Sequence, residues 1–352
     1  MTLFAAWRIR ELEFKNRIGV SPMCEYSAKD GHPGPWHFVH LGSRAVGGAA
    51  LVLTEATAVQ AVGRISPEDT GIYLDSHIES WKPIVDFVKE QGAVPGMQLA
   101  HAGRKGSTAA PWLGGAKVPP SEGGWVPVAP SALPFDANYP LPKQLTVPEI
   151  NQIVEDFRAG ARRALAAGFQ VVEVHAAHGY LAHEFLSPLS NLRDDEYGGG
   201  LENRMRFPLR LVQAVREVWP QNWPVFVRIS ASDWKEAGWD LAQSIEFCKR
   251  LKAFGVDLVD VSSGGLVPGV KIPLGPGYQV SFAAAIRREA GIATGAVGLL
   301  TDSAQAQTIL STEQADMVFL ARELLRDPYW PRRAAQELGV KIQGPVQYER
   351  AW

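Results

Sequence analysis

Eight short, almost unbroken apolar runs recur along the 352 residues, separated by stretches that carry helical spacing or are rich in Gly and Pro. They are RIGVSPM (17–23), AALVLTEA (49–56), VPGMQLA (94–100), VVEVHA (171–176), VFVRIS (225–230), LVDVSSG (258–264), ATGAVG (293–298) and MVFLAR (317–322). A strand with one wet face alternates apolar and polar residues. A strand buried on both faces does not, and such runs belong in a parallel sheet covered on each side. The spacers at 77–92, 146–168, 201–219, 240–255 and 301–312 place apolar residues at helical intervals. Thr146 with Glu149 has capping-box spacing, Asp240 and either Thr301 or Asp302 are N-cap residues, and Gly92 and Gly168 end their helices. Strand–helix alternation of this kind predicts an α/β fold, a (β/α)8 TIM barrel that takes up residues 1–352 as one domain. A doubly wound sheet is the alternative, but no G-x-G-x-x-G follows the first strand.

Three stretches interrupt the repeat. Residues 7–16 fit a short hairpin closing the barrel floor. Residues 103–145, rich in Gly, Pro and Ala and carrying Trp112 and Trp125, form a long insertion after strand three, over the barrel mouth. Residues 264–280 form a second Gly/Pro loop after strand six. The formal net charge of −2 offers no strong positive field for nucleic acid or an anionic membrane. The two cysteines, Cys24 and Cys248, are too few for a disulfide framework and suit a reducing compartment. Without a signal-like N-terminus or an apolar run of transmembrane length, the expectation is a cytoplasmic protein.

In a barrel the chemistry gathers at the C-terminal strand tips. Here those tips are Ser21-Pro22-Met23-Cys24, Glu55-Ala56, Gln98, His175, Arg228, Ser262-Ser263-Gly264, Gly298 and Ala321-Arg322. The densest cluster follows strand four, where His175, His178 and Tyr180 stand close in sequence. Neutral imidazole N–H groups in a dry pocket stabilise negative charge developing on a carbonyl oxygen, and a phenol can protonate a neighbouring carbon. His-x-x-His could instead supply two metal ligands, but no Cys or acidic third ligand shares that strand end, Glu173 and Glu184 being poor substitutes, and no metal is expected. His183 is read as structural, capping the following helix, and Asp194 to Gly200 as a tight turn. Gly298 and Ala321-Arg322 lie where barrels commonly hold phosphate, unless Arg322 merely pairs with Glu323. Cys248, in an apolar helical stripe, is read as core.

SPMCEY (21–26), EATAV (55–59) with GRIS (63–66), QLAHAGRK (98–105), residues 175–207, RISASD (228–233), GPGYQVSFA (275–283), AVGLLTD (296–302) and ARELLRDPYW (321–330) together resemble the Old Yellow Enzyme family, most of all its thermophilic-like bacterial branch of NADPH dehydrogenases. The resemblance runs from about residue 7 to Trp352. It implies noncovalent FMN at the barrel mouth, with Ser21, Pro22, Met23, Cys24, Ala56, Gln98 and Arg228 at the isoalloxazine and Gly298, Ala321 and Arg322 at the phosphate. It implies that His175 and His178 bind a substrate carbonyl, that Tyr180 donates the proton, that Tyr26 lines the pocket, and that Arg350 of the tail 344–352 reaches a neighbouring subunit's site in a homodimer or homotetramer. The implied reaction is ping-pong hydride transfer from NADPH or NADH to the C=C bond of a small enone. Desaturation of a saturated ketone, or a flavin-binding redox protein of low turnover, are the alternatives. Two features depart from the branch: Ala321 stands where Gly is usual, so its phosphate contact would rely on backbone N–H, and the 103–145 loop is longer.

Overall fold

The computed structural model describes residues 1–351, and in it the eight apolar runs form eight parallel strands closed into a barrel. In chain order they are β1 (Ile18–Val20), β2 (Leu51–Ala58), β3 (Val94–Ala100), β4 (Val171–Ala176), β5 (Val225–Ser230), β6 (Leu258–Ser262), β7 (Ala293–Ala296) and β8 (Met317–Leu320). Each strand pairs with its neighbours in sequence, and β8 closes on β1 with Phe319 opposite Gly19. Every residue of β2, β3, β4, β5, β6 and β8 is buried, which is why these runs do not alternate.

The five predicted helices form at Ser76–Glu90, Val147–Ala167, Leu201–Val218, Leu241–Ala253 and Ser303–Ser311. The capping box is present: Thr146 Oγ1 accepts from Glu149 N while the Glu149 carboxylate accepts from Thr146 N at 2.9 Å. Asp240 caps its helix through Gln243 N at 2.9 Å, and Asp302, not Thr301, caps the last of the five through Gln305 N at 2.8 Å. A short helix Arg322–Arg326 opens at the predicted phosphate position, and further helices that the spacing does not announce form at Pro35–Val46, Leu181–Leu186, Val280–Ala290 and Trp330–Glu337. Two of these span only five or six residues, and Pro35–Val46 hides behind a Gly/Pro-rich start at residues 31–35. Among the described residues no helix is long and apolar enough to cross a membrane.

The hairpin forms as expected, Trp7–Ile9 against Leu12–Phe14. Its Ile9, Leu12 and Phe14 join Leu51, Val94, Val171, Phe226, Leu258, Met317 and Phe319 in one buried apolar cluster that plugs the N-terminal end of the barrel. The Phe14 and Phe226 rings stack with centroids 6.5 Å apart. Phe319 fits because its neighbours on both adjoining strands are glycines: a Cβ at Gly19 would lie 2.6 Å, and one at Gly295 2.2 Å, from the ring. The floor is thus a packed plug, and the strands open only at the opposite end.

Candidate active site

The C-terminal mouth differs in character from the floor. Tyr26, Ser107, His178 and Leu299, all in loops at this end, hold positive φ values of 46°, 61°, 59° and 51°. L-residues adopt that conformation only when surrounding contacts impose it.

At the tip of β4 the predicted cluster assembles. The His175 ring centroid lies 5.3 Å from that of His178 and 5.0 Å from that of Tyr180, both edge-on. His178 is fixed at both ends: its backbone N–H donates to Ser230 Oγ at 2.9 Å, and its Nε2 lies 2.7 Å from Ser262 Oγ. His175 Nδ1 is buried without a hydrogen-bond partner. Burial first, and then the Arg228 charge, hold both imidazoles well below their ordinary pKa, so both rings are neutral at pH 7. Burial likewise keeps the Tyr180 phenol protonated, well above its ordinary value.

His183 does not cap the next helix. It lies inside Leu181–Leu186, and because helical side chains lean toward the N-terminus, its Nδ1 accepts from Gly179 N at 2.9 Å while Nε2 lies 3.0 Å from Asp233 Oδ1. Neither acid weighed as a metal ligand faces the imidazole pair. Glu184 accepts from Arg104 N at 2.8 Å, and Glu173 Oε1 accepts from Gln98 Nε2 at 2.8 Å inside the barrel. Residues 194–200 form the expected turn into Leu201–Val218, and Cys248 is fully buried.

Arg228 on β5 faces the same interior. Its Nε lies 3.1 Å from Asp260 Oδ2, and both residues are buried. Just past β1, Ser21 Oγ is buried with no hydrogen-bond partner among the described residues. Cys24 keeps its proton, since burial first and the Asp69 and Glu55 charges next push the thiol well up. Between the tips of β7 and β8 a cavity of about 210 Å³ is lined by Gly298, Leu299, Ala321, Arg322 and Tyr278 among others. Glu323 is taken by Arg326 and Arg333, not by Arg322.

A second cavity, about 630 Å³, opens beside Tyr180 and Tyr26, and the loop after β3 supplies Lys105, Thr108, Gly114, Asp136 and Tyr139 to its walls. From this loop Trp112 meets Tyr26 edge-on at 5.6 Å, while Trp125 donates Nε1–H to Val62 O at 2.9 Å. Lys105, which no motif spacing singles out, donates its Nζ to His178 O at 2.8 Å and to Gly265 O, with the Phe135 ring 4.2 Å away. Burial first, and then Arg104, lower its pKa to about 7. The loops after β4 and β6 also interlock: a Cβ on Gly179 would lie 2.3 Å from Gly265 O, and one on Gly265 2.8 Å from His178 Cα. Of these details only the position of Lys105 within QLAHAGRK hinted at a role.

The structure thus brings Ser21, Cys24, Tyr26, Gln98, His175, His178, Tyr180, Arg228, Gly298, Ala321 and Arg322 to one end of the barrel. It does not bring Arg350 there. The turn Val346–Ala351 is exposed, and Pro345, Val346 and Gln347 pack near Lys15, Gln91 and Arg332, before β1 and β3 begin.

This donor set suits FMN: Arg322 lining a small cavity at the β7–β8 tips for a phosphate, and buried Gln98, Arg228 and Ser21, whose Oγ has no partner among the described residues, for a polar ring edge. Fold and site together define a barrel flavoprotein of the oxidoreductase class. The sequence matches the NADH:flavin oxidoreductase / NADH oxidase family over residues 2–340. It is 54% identical to an NADPH dehydrogenase of Geobacillus thermodenitrificans, covering 99% of this chain and 98% of that one. Morphinone reductase in complex with tetrahydroNAD superposes with a TM-score of 0.80 at 29% identity, over 98% of this chain and 93% of that one. A 2-naphthoyl-CoA reductase matches with a TM-score of 0.87 at 25% identity over 96% of this chain, which spans 52% of that longer protein. The chain belongs to the NADH:flavin oxidoreductase / NADH oxidase family and is of the Old Yellow Enzyme type that its motifs resemble. Its cofactor is FMN and its reductant NAD(P)H.

Proposed function

We propose that this oxidoreductase reduces the activated C=C bond of α,β-unsaturated carbonyl compounds. The observation that carries the reading is the neutral imidazole pair beside a protonated phenol, with ring centroids 5.3 and 5.0 Å from His175. Bound FMN would carry hydride from NAD(P)H to the substrate. The protein's own part is to polarise the acceptor and supply a proton. The 2.7 Å contact between His178 Nε2 and Ser262 Oγ holds that ring in place, and the imidazoles of His178 and His175 are the two donors assigned to the substrate oxygen. Two such donors stabilise the enolate-like charge that builds on that oxygen. Tyr180, held in its acid form, then protonates the α-carbon.

Ser21, Pro22, Met23, Cys24, Ala56, Gln98 and Arg228 form the seat for the FMN ring, and Gly298, Ala321 and Arg322 hold its phosphate. Tyr26 walls the substrate space. Reductant and enone use that space in turn, which gives ping-pong kinetics. Arg350, remote from its own pocket, serves a neighbouring copy in a symmetric oligomer.

The test is NADPH consumption with cyclohexenone under anaerobic conditions, followed by product analysis. Cyclohexanone formed in step with NADPH lost supports the reading. No turnover with several cyclic and open-chain enones, by protein that is fully loaded with FMN, would sink it. Cyclohexenone made from cyclohexanone in air would point to the reverse reaction instead.

A further inference from the structure

A layer of polar side chains lies inside the barrel beneath the mouth, where such layers are ordinarily filled by Val, Ile and Leu. Glu173 on β4, Arg228 on β5 and Asp260 on β6 are 0%, 6% and 0% exposed. Gln98 on β3 donates its amide to Glu173 Oε1 at 2.8 Å, and Arg228 Nε lies 3.1 Å from Asp260 Oδ2. Glu173 Oε2, Arg228 Nε and both Asp260 oxygens are buried with no hydrogen-bond partner among the described residues, so Arg228 holds Asp260 as an ion pair and not through a hydrogen bond. Backbone register places Gln98 opposite Glu173, and Arg228 opposite Asp260 and opposite His175, two residues beyond Glu173 on the same face of β4.

Counting charge decides the protonation. One guanidinium neutralises one carboxylate, and a second bare carboxylate in a dry interior is strongly disfavoured. Asp260 has the guanidinium at contact distance, so the proton falls to Glu173. The charged groups that act on Glu173 are Asp260 from β6 and Arg228 from β5; Gln98 faces it from β3, and His175, one turn of the pleat above on β4, is neutral. Burial first, then Asp260, lift Glu173 to about 8 against the opposing pull of Arg228 and Gln98. Asp260 is also pushed up by burial and held down by Arg228, so the two acids titrate as a pair that shares one proton at neutral pH.

We propose that Glu173 is a positioning residue of the cofactor seat, holding a proton at rest so that Gln98 is fixed from behind and the Arg228 charge is not overcompensated. This rests on the assignment of Gln98 and Arg228 to the FMN seat. Loss of that proton puts a net negative charge under the seat, and any negative charge then added to the cofactor is opposed.

Two measurements on the purified holoenzyme test this. Infrared difference spectra between pH 6.5 and 9.5 report protonated buried carboxyls, among them Asp69 and Glu184, raised by burial to about 7 and about 8; the band assigned to Glu173 is the one that the wild type loses as pH rises, that Glu173→Gln lacks throughout while the others remain, and that Asp260→Asn, by freeing Arg228 for Glu173, lacks already at pH 7. Dye-coupled titration of bound FMN gives its reduction potential. Across the window around pH 8 the wild type becomes harder to reduce than Glu173→Gln, by about tenfold in the reduced-to-oxidised ratio at fixed dye potential. No titrating band in the wild type, or the same band in Glu173→Gln, overturns the proton assignment. Parallel potential curves overturn the positioning role even where the band titrates. Protein that cannot hold FMN would instead defeat the seat assignment, and the infrared result on the same protein would still stand or fall alone.

Discussion

The two ends of this barrel solve opposite problems. At the floor, Phe14, Phe226, Phe319 and the aliphatic strand starts pack into a dry plug, closed by the Trp7–Phe14 hairpin. At the mouth, buried histidines, a phenol and an arginine crowd together, polar atoms such as Ser21 Oγ and His175 Nδ1 lack partners among the described residues, and Tyr26, Ser107, His178 and Leu299 sit at positive φ, against Arg10 and Glu313 ahead of the strand starts. Unpaired buried polar atoms and strained backbone each cost free energy. The difference teaches that stability is concentrated at one end so that the other can be kept poised for ligand.

If that division is real, variants at the two ends must fail in different assays. Phe226→Ala, which hollows the plug, should lower unfolding free energy by about 3–5 kcal/mol in urea titrations while leaving the KM for an enone unchanged in the protein that remains folded. A comparable loss of kcat in folded protein would break the comparison. At the other end, Tyr180→Phe should slow enone-driven reoxidation by about 10²–10⁴-fold in stopped flow, with NADPH-driven reduction and the urea midpoint preserved. His178→Ala should cost about 10²–10³-fold in the same step and weaken the binding of phenolic ligands. Equal loss in both half-reactions would mean that the imidazole merely supports the loop.

A smaller effect sharpens the boundary. The folded-state pKa of Lys105 is lowered from 10.5 to about 7, chiefly by burial. Between those values the unfolded chain binds a proton that the folded chain does not, so this group adds stability as pH rises through about 7 and on toward 10.5. The gap between wild-type and Lys105→Met urea midpoints should therefore widen in favour of wild type from pH 6.5 to 9. A constant gap would leave Lys105 with only its two carbonyl contacts. Smallest of all, Thr146→Ala, on the barrel's outside, should lose about 1 kcal/mol through its capping box and nothing in catalysis.

The barrel was legible because both-face burial leaves a plain signature: β3, β4 and β5 carry continuous apolar runs with flanking caps at Thr146 and Asp240. The His175, His178 and Tyr180 group was legible because its members share one strand tip and one loop. What escaped depends on contacts between distant segments. Lys105 holding His178 O and Gly265 O, Ser262 against His178, and Arg228 against Asp260 join residues 32 to 160 positions apart, and no local spacing encodes them. The short helix Leu181–Leu186 was missed for the same reason, being held by burial rather than by propensity. His183 is structural, as its sequence position suggests, but its partner Asp233 comes from the loop beyond β5, which no local spacing reveals.

The interlocked glycines after β4 and β6 carry a lesson for anyone diversifying this enzyme. With Gly179 and Gly265 pressed against each other's backbone, neither loop has room for a larger residue without displacing its neighbour. Mutational libraries aimed there will mostly yield dead clones. New selectivity is better sought along the wall after β3 at Thr108, Ala109 and Ala116, because Gly114 and Gly115, although they face open space, hold φ values of 97° and 64° that strain any side chain.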